Sequence, residues 1–543
     1  MEKKSYTVAI DLGTSNVVVA VGARNAEGLL EIAFIGSKPV EGVTAGKIDN
    51  IDLVKKAVAA AVAEAETALG IRIAEACAGI SGVFVRCARH TDHVFVYDPQ
   101  NAVSQVDVNA LFDRMRNVQA PDDEIIMERV PQLYMVDNAR EVKNPVGSFG
   151  KKLASTFNFI LCEKTPIQRL EMAFKHLKIR PSAIYPNTLA TPEAVLLPEE
   201  KEEGVAVVDI GSGTTDVTVY YRNVVRYVAT IPMGAAAINR DIRTMGVPEK
   251  HVESLKRRYG SAVAELAPED KLIRVNGRTA REAKDILLRN LATVIEARAT
   301  DIAEFVQQEI KDSGYASKLA YGIVLTGGSA QLKDLDELFR RVTETDVRVA
   351  VPDVGIAEES GELAANPAYA TAVGILLKGA AQGACAVVEF VAPAASAPAA
   401  SAPAAQPAAP ARPAPAQPRP AASEPRRGFV PPAAQPAAQP APQPAPAPRP
   451  AQPRAAQPRP VQPQPEAPAP TAQPVARIPA RQPAPQQEPP RIEPRQPLAA
   501  QPEPEEERPV VIDSRRKRDW SSIFQKAFDK VNQSFTAAED EEI

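Results

Sequence analysis

Residues 6–22 read YTVAIDLGTSNVVVAVG, and residues 205–221 read VAVVDIGSGTTDVTVYY. Each is a β-branched run ending in Asp, a glycine turn rich in hydroxyls, and a second β-branched run, the pattern of a hairpin. Two copies about 200 residues apart mark two related halves facing each other. Between them, Asp52 to Gly70 and Thr165 to Ile179 carry apolar residues at i, i+3 and i+4, the spacing of amphipathic helices. Strands alternating with such helices specify an α/β architecture.

The turns carry chemistry of their own. An Asp at a strand end, Asp11 or Asp209, sets a carboxylate where hydrated Mg²⁺ can sit. The neighbouring glycine lets successive backbone N–H groups approach an anion as a nest. Thr and Ser add hydroxyl donors for phosphate oxygens. A single segment of this kind is commonly only a hairpin turn. A third element follows at Ile323 to Ser329, IVLTGGS, where an apolar strand runs into Gly-Gly at an expected helix N-terminus. Close backbone approach there suits a nucleotide's sugar and α-phosphate. Three such elements in this order are hard to explain as turns.

Together these motifs resemble those of the actin and heat-shock-chaperone ATPase superfamily, and within it the FtsA family of bacterial cell-division proteins. The resemblance spans the globular part nearly end to end. It includes IPMGAAAINRDI after the second hairpin, YGIVLTGG at Tyr321 to Gly328, and PAYATAVGILLKG near the end of the folded part. It implies a duplicated, ribonuclease-H-like, actin-like fold that binds ATP and Mg²⁺. Asp11, Gly13, Thr14, Ser15 and Asn16 would form the first phosphate loop, and Gly211, Gly213, Thr214 and Thr215 the second. Asp209 would lie near Mg²⁺ and the attacking water, with Asp11 as the other carboxylate acting on the metal through water. Gly327, Gly328 and Ser329 would hold the adenosine. Glu253, Lys256 and Arg257 match the family's helix that clasps adenine and ribose, although such residues also suit a plain solvated face.

Two positions depart from the pattern. Many relatives carry Lys where this chain has Asn16, so the charge beside the phosphates is missing. Asn187 stands where the superfamily usually has Gln or Glu to orient the attacking water, and its amide is one methylene shorter. The expectation is tight ATP binding with slow or negligible hydrolysis.

The resemblance also divides the chain. It implies a first actin-like subdomain at 1–84, continued by 164–190 and the end of the folded part, and an FtsA-type insertion at 85–163, where HVFVYD and VNALFDRMRN give strand and helix signals. The second subdomain takes 191–235 and 319–391, and a mainly helical, charged insertion takes 236–318. In the family this smaller insertion binds the tail of the tubulin-like FtsZ, which makes Arg281, Lys284 and Arg298 candidate contacts for an acidic peptide. Self-assembly into an actin-like polymer and contact with other division proteins are further family implications.

Composition changes sharply after Val391: 37 of the 52 prolines lie beyond it. Residues 392–509 are Pro, Ala and Gln with scattered Arg, too poor in apolar groups to offset chain entropy, and read as a disordered linker. That length spans about 60 Å as a coil and at most about 360 Å extended. An amphipathic helix is expected at 513–535. Trp520, Ile523, Phe524, Ala527, Phe528, Val531 and Phe535 share one face, with Arg515, Arg516, Lys517 and Arg518 upstream. The pattern fits a helix lying in the interface of an anionic membrane, with about 1 kcal/mol from each Lys or Arg near the leaflet and ~5 kcal/mol from the apolar face. Docking in a partner's groove is the alternative use of such a helix.

The net charge of −4 argues against a nucleic-acid partner. Cys77, Cys87, Cys162 and Cys385 make no CxxC pair or metal spacing and read as reduced thiols. MEKKSYTVAIDLG enters a strand pattern directly, with no leader signal, and no apolar run is long enough to span a bilayer, so a soluble or peripheral protein is expected at the cytoplasmic face of the inner membrane. Other users of the fold fit less well. A sugar or acetate kinase has no need of a membrane tail, and a chaperone ATPase should carry a β-rich peptide-binding domain. Pilus-assembly relatives share the insertion but generally dock on a partner peptide.

Overall fold

The computed structural model describes residues 5–137, 141–275, 283–383, the backbone of 388–390, and residue 512. The first half builds β1 (Thr7–Leu12), β2 (Asn16–Arg24), β3 (Leu30–Pro39), α1 (Ile51–Leu69) and β4 (Glu75–Ile80). Then come β5 (Val85–Phe95), α2 (Gln105–Arg116), β6 (Glu124–Val136) and β7 (Lys152–Glu163), followed by α3 (Lys164–His176), β8 (Arg180–Pro186) and α4 (Asn187–Val195). The second half comprises β9 (Val205–Ile210), β10 (Thr215–Tyr221), β11 (Val224–Ile231), α5 (Ala235–Thr244) and α6 (Glu249–Tyr259). It continues with β12 (Leu272–Val275), β13 (Lys284–Leu287), α7 (Leu288–Ser313), β14 (Ile323–Thr326), α8 (Leu335–Thr343), β15 (Val347–Val349) and α9 (Ala370–Ala381).

Two five-stranded sheets repeat one topology. The first runs β8-β4-β1-β2-β3 and the second β11-β10-β9-β14-β15. In each, an antiparallel meander of three strands is extended by two parallel strands beside its first strand. This is the duplicated actin-like fold.

Both faces of the sheets are covered, which is why the central strands are apolar throughout. Val8, Ile10, Val17, Val19 and Val21 pack on α1 and α3. Ala9, Val18 and Ala20 turn the other way and share one core with Val205 and Val207 of the second half. Ala206, Val208 and Ile210 face α5 and α7. The halves therefore join through one apolar layer, in which α4 and α9 lie so close that a Cβ on Gly374 would strike the backbone of Ala190. Helix α1 starts where Asn50 Oδ1 accepts from the N–H groups of Asp52 and Leu53, and it ends at Gly70, whose φ of 64° is left-handed.

The insertion between β4 and α3 is a three-stranded sheet, β5-β7-β6, with α2 across one face. Leu153, Phe157, Phe159 and Leu161 of β7 lie under α2, whereas Ile160 and Cys162 join the core shared by the halves. Its first and last residues pair, Val85 with Cys162, and Glu163 N–H donates to Phe84 O at 3.1 Å. Asn158 Nδ2 and Gln132 Nε2 bind the carbonyls of Arg226 and Val225 at 2.9 and 3.0 Å, fastening the insertion to β11.

The stretch expected to be mainly helical, 236–318, contains α5, α6 and the long α7, with the β12–β13 hairpin between them. No helix among the described residues is long and apolar enough to cross a membrane. Residues 392–509 and 513–535, with Trp520, Ile523, Phe524, Phe528, Val531, Phe535 and the basic run Arg515 to Arg518, lie outside the described residues, as do Arg281 and the side chain of Cys385.

Candidate functional site

The two hairpins end in matching turns. Leu12 pairs with Val17, Ile210 with Thr215, and Gly13 N–H and Gly211 N–H each donate across the turn at 2.9 Å, to Asn16 O and Thr214 O. A Cβ on Gly13 would come within 2.9 Å of that accepting oxygen, and one on Gly211 within 3.1 Å. The glycines are the price of a turn this tight. The tips meet: Ser15 Oγ donates to Ser212 Oγ at 2.5 Å, and Gly213 packs against Thr14.

Three carboxylates line the cleft beneath the tips. Asp11 accepts from Asn187 Nδ2 at 3.3 Å. Asp209 Oδ2 accepts from Thr371 Oγ1 at 2.7 Å and Thr191 Oγ1 at 3.1 Å. Asp216, register partner of Asp209, accepts from Ser81 and Thr230 hydroxyls at 2.6 Å. Burial and then the charge of Asp209 push Asp11 up to about 7, and the same two causes bring Asp216 to about 7. Burial also raises Asp209, against the two threonine hydroxyls that stabilise its charge.

The third motif closes on the second hairpin. Gly327 has φ 88°, and a Cβ there would collide with Asp209 Oδ1 and Ile210, so only glycine fits. Ser329 Oγ donates to Gly211 O at 2.9 Å. The Gly-Gly pair does not cap an α-helix as expected. A 3₁₀ turn, Gly328–Gln331, intervenes, and α8 begins only at Leu335.

On the opposite wall, α6 presents Glu253 and Lys256, whose side chains pair at 2.8 Å, with Arg257 beside them. Asn239 Nδ2 also donates to Glu253, at 2.8 Å. Burial acts against the charge, but Lys256 and Asn239 hold the Glu253 carboxyl below its usual range.

All these walls enclose a single cavity of about 790 Å³, lined by Asp11, Gly13 to Asn16, Gly211, Thr214, Gly327 to Ser329 and the α6 residues among others. Two expected residues stand apart from it. Thr215 is fully buried and its hydroxyl donates to Met233 O at 2.8 Å, because the strand's alternation turns it into the core. Gly213 sits at the tip against Thr14 and does not line the cavity. Conversely, Asp216, Ser81, Ser212 and Asn239 line it without having been expected. Asp216 is within reach of a register argument, since it stands near the start of the hairpin's second strand, opposite Asp209.

The candidate peptide contacts divide similarly. Lys284 lies at the surface on β13 and donates to Met245 O at 2.8 Å. Arg298 is not available to an outside peptide. It is buried in α7, with Asp241 at 2.7 Å and Asp301 at 2.9 Å, where desolvation requires its charge to be paired.

The donor set fits a polyphosphate with a cation. Turn N–H groups and the hydroxyls of Thr14, Ser212 and Thr214 supply donors, and the carboxylates beneath suit a positive partner. Asn187 Oδ1 and Asn239 Oδ1 are buried without hydrogen-bond partners among the described residues. No three His, Cys, Asp or Glu side chains among the described residues are disposed to hold a metal directly.

The family model described as "Cell division protein FtsA" matches residues 206–374, and that described as "SHS2 domain inserted in FTSA" matches 84–161. The cell division protein FtsA of Pseudomonas aeruginosa is 32% identical over 373 residues, covering 68% of this chain and 88% of that protein. The chain belongs to the FtsA family. FtsA of Escherichia coli K12 is 30% identical over 383 residues, covering 69% of this chain and 90% of its own length. FtsA of Bacillus subtilis is 29% identical over 379 residues, covering 69% and 84%. Among solved structures, a PilM-PilN type IV pilus biogenesis complex matches with TM-score 0.48 and 14% identity, covering 70% of this chain and 99% of that one. MreB5 of Spiroplasma citri bound to ADP matches with TM-score 0.42 and 12% identity, covering 68% and 95%. The FtsA-type insertion is thus the SHS2 domain built by β5, α2, β6 and β7.

Proposed function

We propose that this FtsA-family protein binds ATP with Mg²⁺ in the cleft between its halves and works as an adaptor. In that role it assembles with copies of itself, holds the acidic C-terminal tail of FtsZ, and ties the division ring to the cytoplasmic face of the inner membrane. The observation that carries the nucleotide reading is the convergence of both hairpin turns, the Gly-Gly-Ser turn and α6 on one cavity of about 790 Å³.

Within that cavity the turn amides and hydroxyls would hold the phosphates, and Asp11 and Asp209 the hydrated Mg²⁺. Gly327, Gly328 and Ser329 would lie along the sugar, with Glu253, Lys256 and Arg257 against the base and ribose. Bound Mg·ATP supplies a reactive anhydride. The chain's part in cleaving it is weak: Asn187 reaches back to Asp11 at 3.3 Å and has only a short amide with which to orient water. Hydrolysis is therefore slow.

The surface of 236–318 around Lys284, together with Arg281, is the proposed seat of the FtsZ tail. Residues 513–535 are the proposed membrane segment, with Trp520 and its apolar neighbours buried in the interface and Arg515 to Arg518 against anionic lipid. Other division proteins would join this assembly, while the net charge of −4 speaks against nucleic acid. Sedimentation with anionic liposomes tests the reading, using full-length and Δ513–543 protein with ATP, with and without FtsZ. The full chain should pellet and recruit FtsZ, and the truncated form should stay in solution. Equal pelleting of both would defeat the membrane reading, and absence of FtsZ from both pellets the adaptor reading.

A further inference from the structure

Ile512 lies far along the chain from the folded halves, yet it is 5% exposed and belongs to the apolar cluster of the SHS2 domain. That cluster contains Met115, Val118, Phe157, Phe159 and Leu161. Ile512 N–H donates to Gln119 O at 3.1 Å. The side chain extends the cover that α2 provides over β7 just where that helix ends, beyond Arg116.

We propose that this groove is a docking site for the chain's own C-terminal segment, with Ile512 as its anchor residue. The occupant is the apolar run Val510-Val511-Ile512, which closes the Pro/Ala/Gln-rich stretch and directly precedes the basic residues. Strand 388–390, at the other end of that stretch, pairs with Ile71–Ile73 in the first half. The described residues on either side of that stretch, 388–390 and Ile512, are thus both held on the folded body.

The energetics permit it. Closure cost grows only logarithmically with loop length, so even a long linker presents its end to the groove at a higher local concentration than a dilute separate peptide has. Full burial of one Ile changes an equilibrium by roughly tenfold to hundredfold, and the backbone hydrogen bond adds direction. The tether therefore favours docking within one molecule over binding of the same short segment presented separately.

Docking fixes where the tail begins. Arg515 follows Ile512 by three residues, so its Cα stays within about 11 Å of the anchor's Cα whatever path the chain takes. The linker's full reach then no longer sets the distance between the body and the basic run. If residues 513–535 bind lipid as proposed above, the SHS2 domain is the face brought to the membrane. The docking itself does not rest on that reading.

Photocrosslinking without lipid tests it. p-Benzoylphenylalanine replaces the exposed Gln119 in the full chain, and adducts are mapped by mass spectrometry in the monomeric fraction. The expected adduct joins position 119 to the peptide containing Ile512, at a yield independent of protein concentration. Ile512→Asp should lower that yield about tenfold or more, Ile512→Leu should keep it, and Δ513–543 should keep it as well. Melting temperature checks that Ile512→Asp leaves the body folded. An adduct elsewhere in the chain, an adduct only between two molecules, no adduct at all, or a yield indifferent to Ile512→Asp would overturn the proposal.

Discussion

Ser15 and Ser212, 197 residues apart in the chain, share a 2.5 Å hydrogen bond that joins the tips of the two hairpins over the cleft. The contact depends on the absence of a side chain beside it. A Cβ on Gly213 would lie 2.8 Å from Thr14 Cγ2 and 3.0 Å from Thr14 Cβ. Gly213→Ala must therefore part the tips. We expect a rise in Kd for a fluorescent ATP analogue of about tenfold, from overpacking of roughly 1–3 kcal/mol. Ser15→Ala, which removes only a neutral hydrogen bond, should cost about 1 kcal/mol or less.

The carboxylates predict a pH dependence. Burial and mutual charge raise Asp11 and Asp216 from the ordinary 3.8 to about 7, so the folded state holds more protons than the unfolded state across that window. Their contribution to stability is complete below pH 4 and is lost as pH rises through about 7. Nucleotide-free Asp216→Asn should lose much of this slope and melt several degrees higher than the parent at pH 7.5, on the order of 2–4 °C per kcal/mol. Thermal scans at pH 5.5 and 7.5 decide it, and an unchanged slope in the variant would remove Asp216 from the account.

Asn187 predicts poor catalysis. Phosphate release by the parent should stay close to background, and Asn187→Ala should change it less than about threefold. Substantial turnover that disappears in the variant would mean that the short amide positions water after all.

Arg298 predicts stability and no peptide specificity. Its replacement by Ala leaves Asp241 and Asp301 without their guanidinium inside α7's packing, which should cost roughly 3 kcal/mol in urea denaturation. Lys284→Ala should be nearly neutral for stability, so any loss of FtsZ-tail binding it causes can be read directly.

Trp520 predicts the membrane role. Trp520→Glu should reduce liposome binding by about tenfold or more, with ATP affinity unchanged. Equal pelleting of variant and parent would assign the apolar face to a protein groove instead.

What could be read in the residues was local or repeated. The two Asp-Gly turns, their β-branched flanks and the helix at Asp52 to Gly70 all declare themselves within about twenty residues. The chemistry that depends on long-range approach did not. Nothing in the spacing brings Asn187 to Asp11, Thr371 to Asp209 or Ser81 to Asp216. Arg298 read as a surface charge because its partner Asp241 lies on another helix. Thr215 belongs to the motif by sequence, but strand alternation turns its hydroxyl to Met233. Ile512 carries no local signal because the residues it packs on, Met115 to Leu161, lie far earlier in the chain.

The paired ends of the SHS2 domain have an evolutionary consequence. Val85 faces Cys162, and Glu163 N–H is bonded to Phe84 O, so the chain leaves and rejoins the parent half at one spot. A short turn could bridge Phe84 to Lys164 without redirecting β4 or α3. Gaining such a module, losing it, or trading it for another would leave the ancestral sheet threaded as before. An architecture of this kind lets a lineage change one surface of the protein while keeping the cleft between its halves untouched.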